Sequence, residues 1–218
     1  MNNILNSIKL DYFILRASGF RRLAIVVVVP LFAGAMSKNP PLVLGLTMML
    51  SGFIMSTIFA TVEKSNLNKL YGILPIKKKQ TVIGRYLFAL IAGVTIAAAA
   101  TVLAFIVSLI IKVPFGGLEL TAWLAGSFLV FCLLVSIQFP LYFRYDFSKL
   151  AALANLPYIV LVFSVSFLVR KHPELFTQVV SFFVRSPYML WIVGTAGALI
   201  LLSASTLASI ALYNKREL

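Results

Sequence analysis

The sequence predicts an all-α, polytopic membrane protein with six transmembrane helices, an N-terminal amphipathic surface helix and both termini in the cytoplasm. Of its 218 residues, 61% are hydrophobic and 11% are charged, and the mean hydropathy is +1.01. Soluble domains are roughly 45–50% apolar and about 25% charged, so lipid must be the solvent for most of this surface. We expect residues 1–218 to form a single transmembrane domain.

Five hydrophobic segments without a charged residue are long enough to cross a bilayer, because a membrane helix needs roughly 20 apolar residues. They are Leu42–Val62, Tyr86–Ile111, Leu120–Phe143, Leu150–Val169 and Ser186–Asn214. A sixth segment, Leu23–Ser37, is shorter and contains Pro30. We predict that it also spans, with a re-entrant segment as the alternative.

The distribution of basic residues predicts the orientation. With six spans and a cytoplasmic N-terminus, 14 of the 19 Lys and Arg residues lie inside and 5 outside, which the positive-inside rule favours. The five outside are Lys38, Lys112, Arg170, Lys171 and Arg185. Because the charges sit in loops between apolar runs, the net charge of +13 indicates contact with anionic lipid and not with nucleic acid.

Amphipathic segments are predicted on both sides of the membrane. Residues 1–20 carry apolar side chains near helical spacing among Asn, Lys and Arg residues, which is typical of a helix lying on the inner surface. A frayed tail is the alternative. Residues 170–187 place Leu175, Val179, Phe182 and Phe183 on one helical face, and we predict a short interfacial helix outside.

The third predicted span carries small residues at four-residue intervals. Ala89, Gly93 and Ala97 are followed by Thr101 in the same register. Small residues at this spacing let helices approach closely, so we predict that this ridge packs against another span or a second copy.

No pattern in the sequence indicates chemistry. There is no Walker A loop, no His-Glu-x-x-His and no Gly-x-Ser-x-Gly. The predicted spans lack the charged residues and histidines that ion-driven carriers place within the membrane. Cys132 is the one cysteine and His172 the one histidine, so neither a disulfide nor a metal site is supported. We predict no catalytic, cofactor or metal site in this chain, and a protein that is not itself an enzyme.

The loop over residues 63–85, which joins the second and third spans, is where energy from a partner would enter. Ser65 is placed to cap a short helix, Gly72 to end it, and Pro75 to open the next one. A docking surface is predicted for seven residues of this loop: Leu67, Leu70, Tyr71, Leu74, Lys77, Lys78 and Lys79. The alternative is a loop that only anchors in lipid.

The second inner loop is shorter. Pro140 bends the end of the preceding helix, and Arg144, Asp146 and Lys149 are spaced to pair locally. A docking role and an ordinary charged connection fit this loop equally well.

These two loops resemble a known family. LYGILPIKKKQTVIGRY, from Leu70 to Tyr86, looks like the short-helix, Leu-Pro and basic segment of the type-2 class of ATP-binding-cassette (ABC) exporter permeases. PLYFRYDFSKL, from Pro140 to Leu150, resembles a stretch of a bacterial six-span subfamily, with Asp146 where that subfamily often has Gly. The likeness covers the whole chain, because the span count, the surface helix and the basic C-terminus also fit.

The resemblance implies a permease subunit in the bacterial cytoplasmic membrane, paired with a second copy or a paralogue. ABC ATPase subunits would dock on the inner loops, and they, not this chain, would bind ATP and magnesium. The cargo would be hydrophobic or amphipathic, such as a peptide, and would move outward. Two other functions stay open: the substrate-binding membrane subunit of an energy-coupling-factor vitamin importer, and a non-transporting immunity or scaffold protein.

Overall fold

The computed structural model describes residues 2–17, 20–65, 67, 78–114, 116–150, 156–172, 174, 178 and 187–215. Every regular element in these ranges is an α-helix, which confirms the predicted all-α class. The helices are α1 (Asn2–Ala17), α2 (Phe20–Met36), α3 (Pro41–Lys64), α4 (Lys78–Ile111), α5 (Gly117–Arg144), α6 (Phe147–Leu150), α7 (Leu156–Lys171) and α8 (Pro187–Asn214).

Four of these helices, α3, α4, α5 and α8, are long and apolar enough to cross a membrane, judged over the described ranges. They correspond to the second, third, fourth and sixth predicted spans. The 17 residues of α2 extend about 26 Å and the 16 of α7 about 24 Å, less than a hydrocarbon core of about 30 Å. The span count of six and the cytoplasmic location of the termini therefore stay predictions.

The third span begins earlier than expected. Residues 78–85 were expected in a loop, but they form the first two turns of α4, which runs for 34 residues. These turns are helical because one side of them is covered: Val82, Gly84 and Arg85 are buried, and α1 packs against this part of α4. At the other end of the loop, Ser65 closes α3, since its backbone N–H donates to the Thr61 carbonyl at 3.0 Å.

The core of the bundle lies between α5 and its neighbours α3, α4 and α8. The ridge of Ala89, Gly93 and Ala97 is buried against this core. A Cβ atom added at Gly93 would lie 2.5 Å from Cε1 of Phe131, so the ring of α5 occupies the space that any larger residue would need.

At the edge of the bundle, α7 contacts α3 near its start. The ring of Tyr158 meets that of Phe53 on α3 edge-on, with centroids 6.4 Å apart. The nearby side chains of Ile159, Val160 and Phe163 are exposed. Most of the interfacial helix predicted over residues 170–187, with its four apolar residues, lies outside the described residues.

Candidate functional site

A buried ion pair joins α1 to α4 at the end of the bundle that the sequence predicts to be cytoplasmic, called the inner end below. The Nε and Nη2 atoms of Arg85 each donate to an oxygen of the Asp11 carboxylate at 3.3 Å. The Arg85 and Asp11 side chains are only 5% and 2% exposed. Two charges so far from water stabilise the fold only as partners, because either one alone would be left buried without compensation.

Aromatic rings enclose the arginine. Its guanidinium carbon lies 4.5 Å from the centroid of the Phe59 ring on α3 and 5.5 Å from that of Phe143 on α5. The Phe143 ring in turn contacts Tyr213 near the end of α8, with centroids 5.3 Å apart. Cation–π contact strengthens when it is shielded from water. Arg85 therefore contacts α1, α3 and α5 directly, and reaches α8 through one ring.

The sequence of α1 and α4 allows this pair to form. Ser7, Asp11 and Ile14 lie one turn apart on the same side of α1, and all three are buried. A Cβ added at Gly84 would lie 2.7 Å from the Cβ of Ser7, so the glycine lets the two helices approach closely. That approach brings the Asp11 carboxylate within reach of Arg85.

Burial raises the pKa of the Asp11 carboxyl above its ordinary value, and the charge of Arg85 together with its hydrogen bonds opposes that rise. The ionised form of Asp11 therefore depends on Arg85. The reverse is not true, since a guanidinium stays protonated in proteins.

The second inner loop is attached to the end of α3. The Glu63 carboxylate accepts hydrogen bonds from the Ser148 hydroxyl and from the Ser148 backbone N–H, the latter at 3.1 Å. Within the loop, Nζ of Lys149 lies 3.2 Å from Oδ2 of Asp146. The guanidinium of Arg144 lies over the Tyr145 ring, 5.1 Å from its centroid. Both predicted inner loops therefore meet at Glu63.

A small cleft opens between these elements at the inner end. Its walls are mainly aromatic, with carboxylates at the rim and the arginine inside. The lining residues are Phe59, Val62, Glu63, Arg85, Tyr142, Phe143, Tyr145, Asp146, Phe147 and Tyr213. The cleft therefore places the ion pair's arginine beside the carboxylates of both loops.

One residue deeper in α4, a hydroxyl cluster ties the helix to α8. The Tyr86 hydroxyl forms hydrogen bonds with those of Ser205, at 2.5 Å, and Ser209, at 2.9 Å. Ser205 also donates to the Ser136 carbonyl of α5 at 2.7 Å. Tyr86 and Arg85, adjacent in sequence, thus connect α4 to different neighbours.

The predicted docking residues are only partly described. Leu67 is half-buried and packs against the core. Lys78 lies over the Tyr213 ring, with Nζ 5.6 Å from the centroid, and Lys79 is exposed. Four others lie outside the described residues: Leu70, Tyr71, Leu74 and Lys77. In the second inner loop, Asp146 lines the cleft and pairs with Lys149, and Arg144 lies over the Tyr145 ring.

Sequence reasoning missed the ion pair. It counted Arg85 as one loop charge among many, and it assigned α1 to the lipid surface without a partner in the protein. A signal was present, because Asp11 is the one acidic residue before Glu63. A lone carboxylate on a helix that otherwise reads as apolar and basic needs a cationic partner when it is buried.

This arrangement consists of contacts between helices and does not suggest a reaction. Among the residues described, no three His, Cys, Asp or Glu side chains lie close enough together to hold a metal ion. The only cysteine, Cys132, is buried in the core. Contacts at Arg85, Tyr86 and Glu63 instead connect the inner loops to five helices.

Comparison with protein families shows which family the chain matches. A family model described as an ABC-2 family transporter protein covers residues 8–214. No curated protein and no solved structure matches the chain. The matched range extends from α1, including Asp11, to the end of α8.

Proposed function

This chain belongs to the ABC-2 family of transporter proteins, and from that premise we propose that it is the membrane-spanning permease subunit of an ATP-driven exporter. Its partners are ABC ATPase subunits that dock on the inner loops, and a second permease copy or paralogue. ATP and magnesium bind to the ATPase subunits. The cargo is hydrophobic or amphipathic and moves outward across the bacterial cytoplasmic membrane, which this chain crosses six times.

The observation that carries the proposal is that Glu63, at the start of the first inner loop, and Asp146, in the second, line the same cleft as Arg85. A permease without its own chemistry must receive motion from the ATPase and pass it to its spans. The loop between α3 and α4 leaves from Glu63 and Lys64 and returns at Lys78, beside Tyr213. A displacement of that loop would therefore act on α4 two turns before Arg85, where α1, α3 and α5 meet.

The second loop contributes through Glu63. Its hydrogen bonds to the backbone N–H and the hydroxyl of Ser148 hold the short helix α6 against the end of α3. An ATPase that presses on either loop would move the other, because the same carboxylate joins them. We expect Arg144, Asp146 and Lys149 to form the secondary contact with the ATPase, with the cluster of Leu67, Leu70, Tyr71 and Leu74 as the main one.

Co-purification tests the proposal. The tagged chain is extracted from its native membrane in mild detergent, and the proteins that come with it are identified. We expect an ATPase with a Walker motif in stoichiometric amount, and its loss on the double change Tyr71→Asp with Leu74→Asp. Matched changes at the other end of the bundle, Val113→Asp with Leu118→Asp, should leave it bound.

Two outcomes would contradict the proposal as a whole, and a third would contradict the docking site. Recovery without any ATPase would favour a scaffold or immunity protein that acts alone. A tightly held small ligand in the purified chain would favour the importer subunit. Retention of the ATPase by the Tyr71 and Leu74 variant would remove the docking role from that loop.

A further inference from the structure

The helix α1 has two faces of different character. Ser7, Asp11 and Ile14 are buried against the protein. The opposite face carries three exposed apolar side chains, with Leu5 51%, Tyr12 54% and Phe13 60% exposed. Two exposed basic residues lie among them, Lys9 and Arg16, and no acidic residue shares this face.

The position of α1 on α4 indicates the depth of this outward face. α1 packs against Gly84 and Arg85, between the basic start of α4 at Lys78 and the charge-free run that begins at Tyr86. The 34 residues of α4 extend about 51 Å, well beyond a hydrocarbon core of about 30 Å. Its first two turns therefore lie in the headgroup layer, and α1 lies there with them.

We propose that the outward face of α1, made of Leu5, Lys9, Tyr12, Phe13 and Arg16, binds anionic phospholipid headgroups. Aromatic and basic side chains together are typical of a helix at the bilayer interface, where rings sit at headgroup level and cations meet phosphate. Both charges on this face are positive, so it prefers anionic over zwitterionic lipid. The inference rests on the proposed function only for placing α1 on the cytoplasmic side.

The same helix connects this lipid to the protein interior. Asp11 lies on the buried face of α1 and pairs with Arg85. Its near neighbours in sequence, Lys9 and Tyr12, lie on the outward face. A rigid helix cannot move one face without the other. Headgroups bound at Lys9 and Arg16 therefore hold Asp11 against the cluster of α3, α4 and α5.

Selective quenching of a fluorophore on α1 tests the lipid preference. Asn6, exposed at the edge of the face, is changed to Cys in a Cys132→Ala background and labelled with an environment-sensitive dye. The purified chain is reconstituted in vesicles of phosphatidylcholine and phosphatidylglycerol at 7:3. Two preparations are compared, one with brominated phosphatidylglycerol and one with brominated phosphatidylcholine, each at the same mole fraction of brominated lipid. No ATPase is present.

We expect brominated phosphatidylglycerol to quench at least about twofold more than brominated phosphatidylcholine, because each basic side chain near an anionic surface favours it by about fivefold. The double change Lys9→Gln with Arg16→Gln should make the quenching by the two brominated lipids nearly equal. Both residues are exposed, so folding is preserved. The matched change Lys38→Gln with Lys171→Gln removes two exposed charges elsewhere and should leave the preference intact.

Equal quenching by the two lipids in the unaltered chain would overturn the proposal. So would a label that neither lipid quenches, since the face would then not contact the bilayer. Because the vesicles contain no ATPase, these results do not depend on whether the chain is an exporter permease.

Discussion

Replacing Asp11 by Asn removes one charge of the buried pair and keeps the shape of the side chain. Breaking a buried pair by removing one partner costs about 3–5 kcal/mol. The hydrogen bonds here are 3.3 Å long, above the 2.7–2.9 Å typical of strong charged pairs, and two rings still cover the guanidinium. We therefore expect a cost near the lower limit, about 3 kcal/mol.

Hydrogen exchange of α1 and reversible unfolding in mixed micelles measure this cost. Because α1 can detach before the bundle unfolds, the loss of stability should be largest in α1. A cost of about 3 kcal/mol should make its amides exchange on the order of 100-fold faster. Amides in the middle of α5 should change much less. Lys9→Gln, on the outward face of the same helix, is the matched control and should leave the exchange nearly unchanged in neutral detergent.

A double-mutant cycle isolates the interaction. Arg85→Met leaves a carboxyl that can take up a proton, so this change should cost less than Asp11→Asn, which leaves a permanent cation. Without Arg85, the charge and hydrogen bonds that lower the pKa of Asp11 are gone, so burial raises this pKa further. The folded protein then binds a proton more readily than the unfolded chain, so the stability of Arg85→Met should increase as the pH falls.

The stability of Asp11→Asn should show no such gain, because the titrating group is gone. The double variant should be more stable than the sum of the two single losses predicts. Additive losses, with a coupling below about 0.5 kcal/mol, would refute the reasoning, since contacting buried charges must couple. An unaltered α1 exchange rate in Asp11→Asn would refute it as well.

Three further changes test other contacts of the bundle. Gly93→Leu should cost more than about 1–3 kcal/mol, because its side chain would enter the space of the Phe131 ring, whereas Gly126→Ala, with nothing within 4 Å, should be nearly neutral in the same unfolding assay. Tyr86→Phe should lower stability by about 0.6–1.7 kcal/mol, the range for hydrogen bonds between membrane helices, and an unchanged unfolding midpoint would contradict the contact with α8. Glu63→Gln keeps a hydrogen-bond acceptor but loses the charge, so limited proteolysis of the second inner loop should accelerate moderately. Glu63→Ala removes the acceptor and should accelerate it more. Equal cleavage rates for the unaltered protein and both variants would argue against the attachment of this loop to Glu63.

Under the proposed function, the contacts around Arg85 at the inner end connect the docking surface to the membrane spans. Four of the docking residues predicted from the sequence lie outside the described part of the chain, but both ends of their loop are described. The loop leaves the end of α3, where Glu63 holds the second inner loop. It returns at Lys78, the first residue of α4, two turns before Arg85. Under the proposed function, motion of the loop would reach α1 and the spans through these two ends.

Sequence reasoning predicted the ridge on α4 better than the start of that helix. Ala89, Gly93 and Ala97 stand out because their small size repeats at the helical period, and the structure buries all three. The helix start at Lys78 was harder, because residues 78–85 are polar enough to read as loop. They become helical where α1 packs against Gly84 and Arg85, a contact between segments more than 70 residues apart.

The sequence by itself determined the class of the protein: a helical membrane protein with long charge-free segments, basic loops and no catalytic pattern. Each of these properties is a local sum over neighbouring residues, and transfer from water to lipid acts on segments almost independently of their partners. Only the tertiary structure decided that Asp11 faces Arg85, that Phe131 fills the space beside Gly93, and that Glu63 holds the second loop. These pairings depend on which helix faces are brought together, and no local property of either segment contains that information.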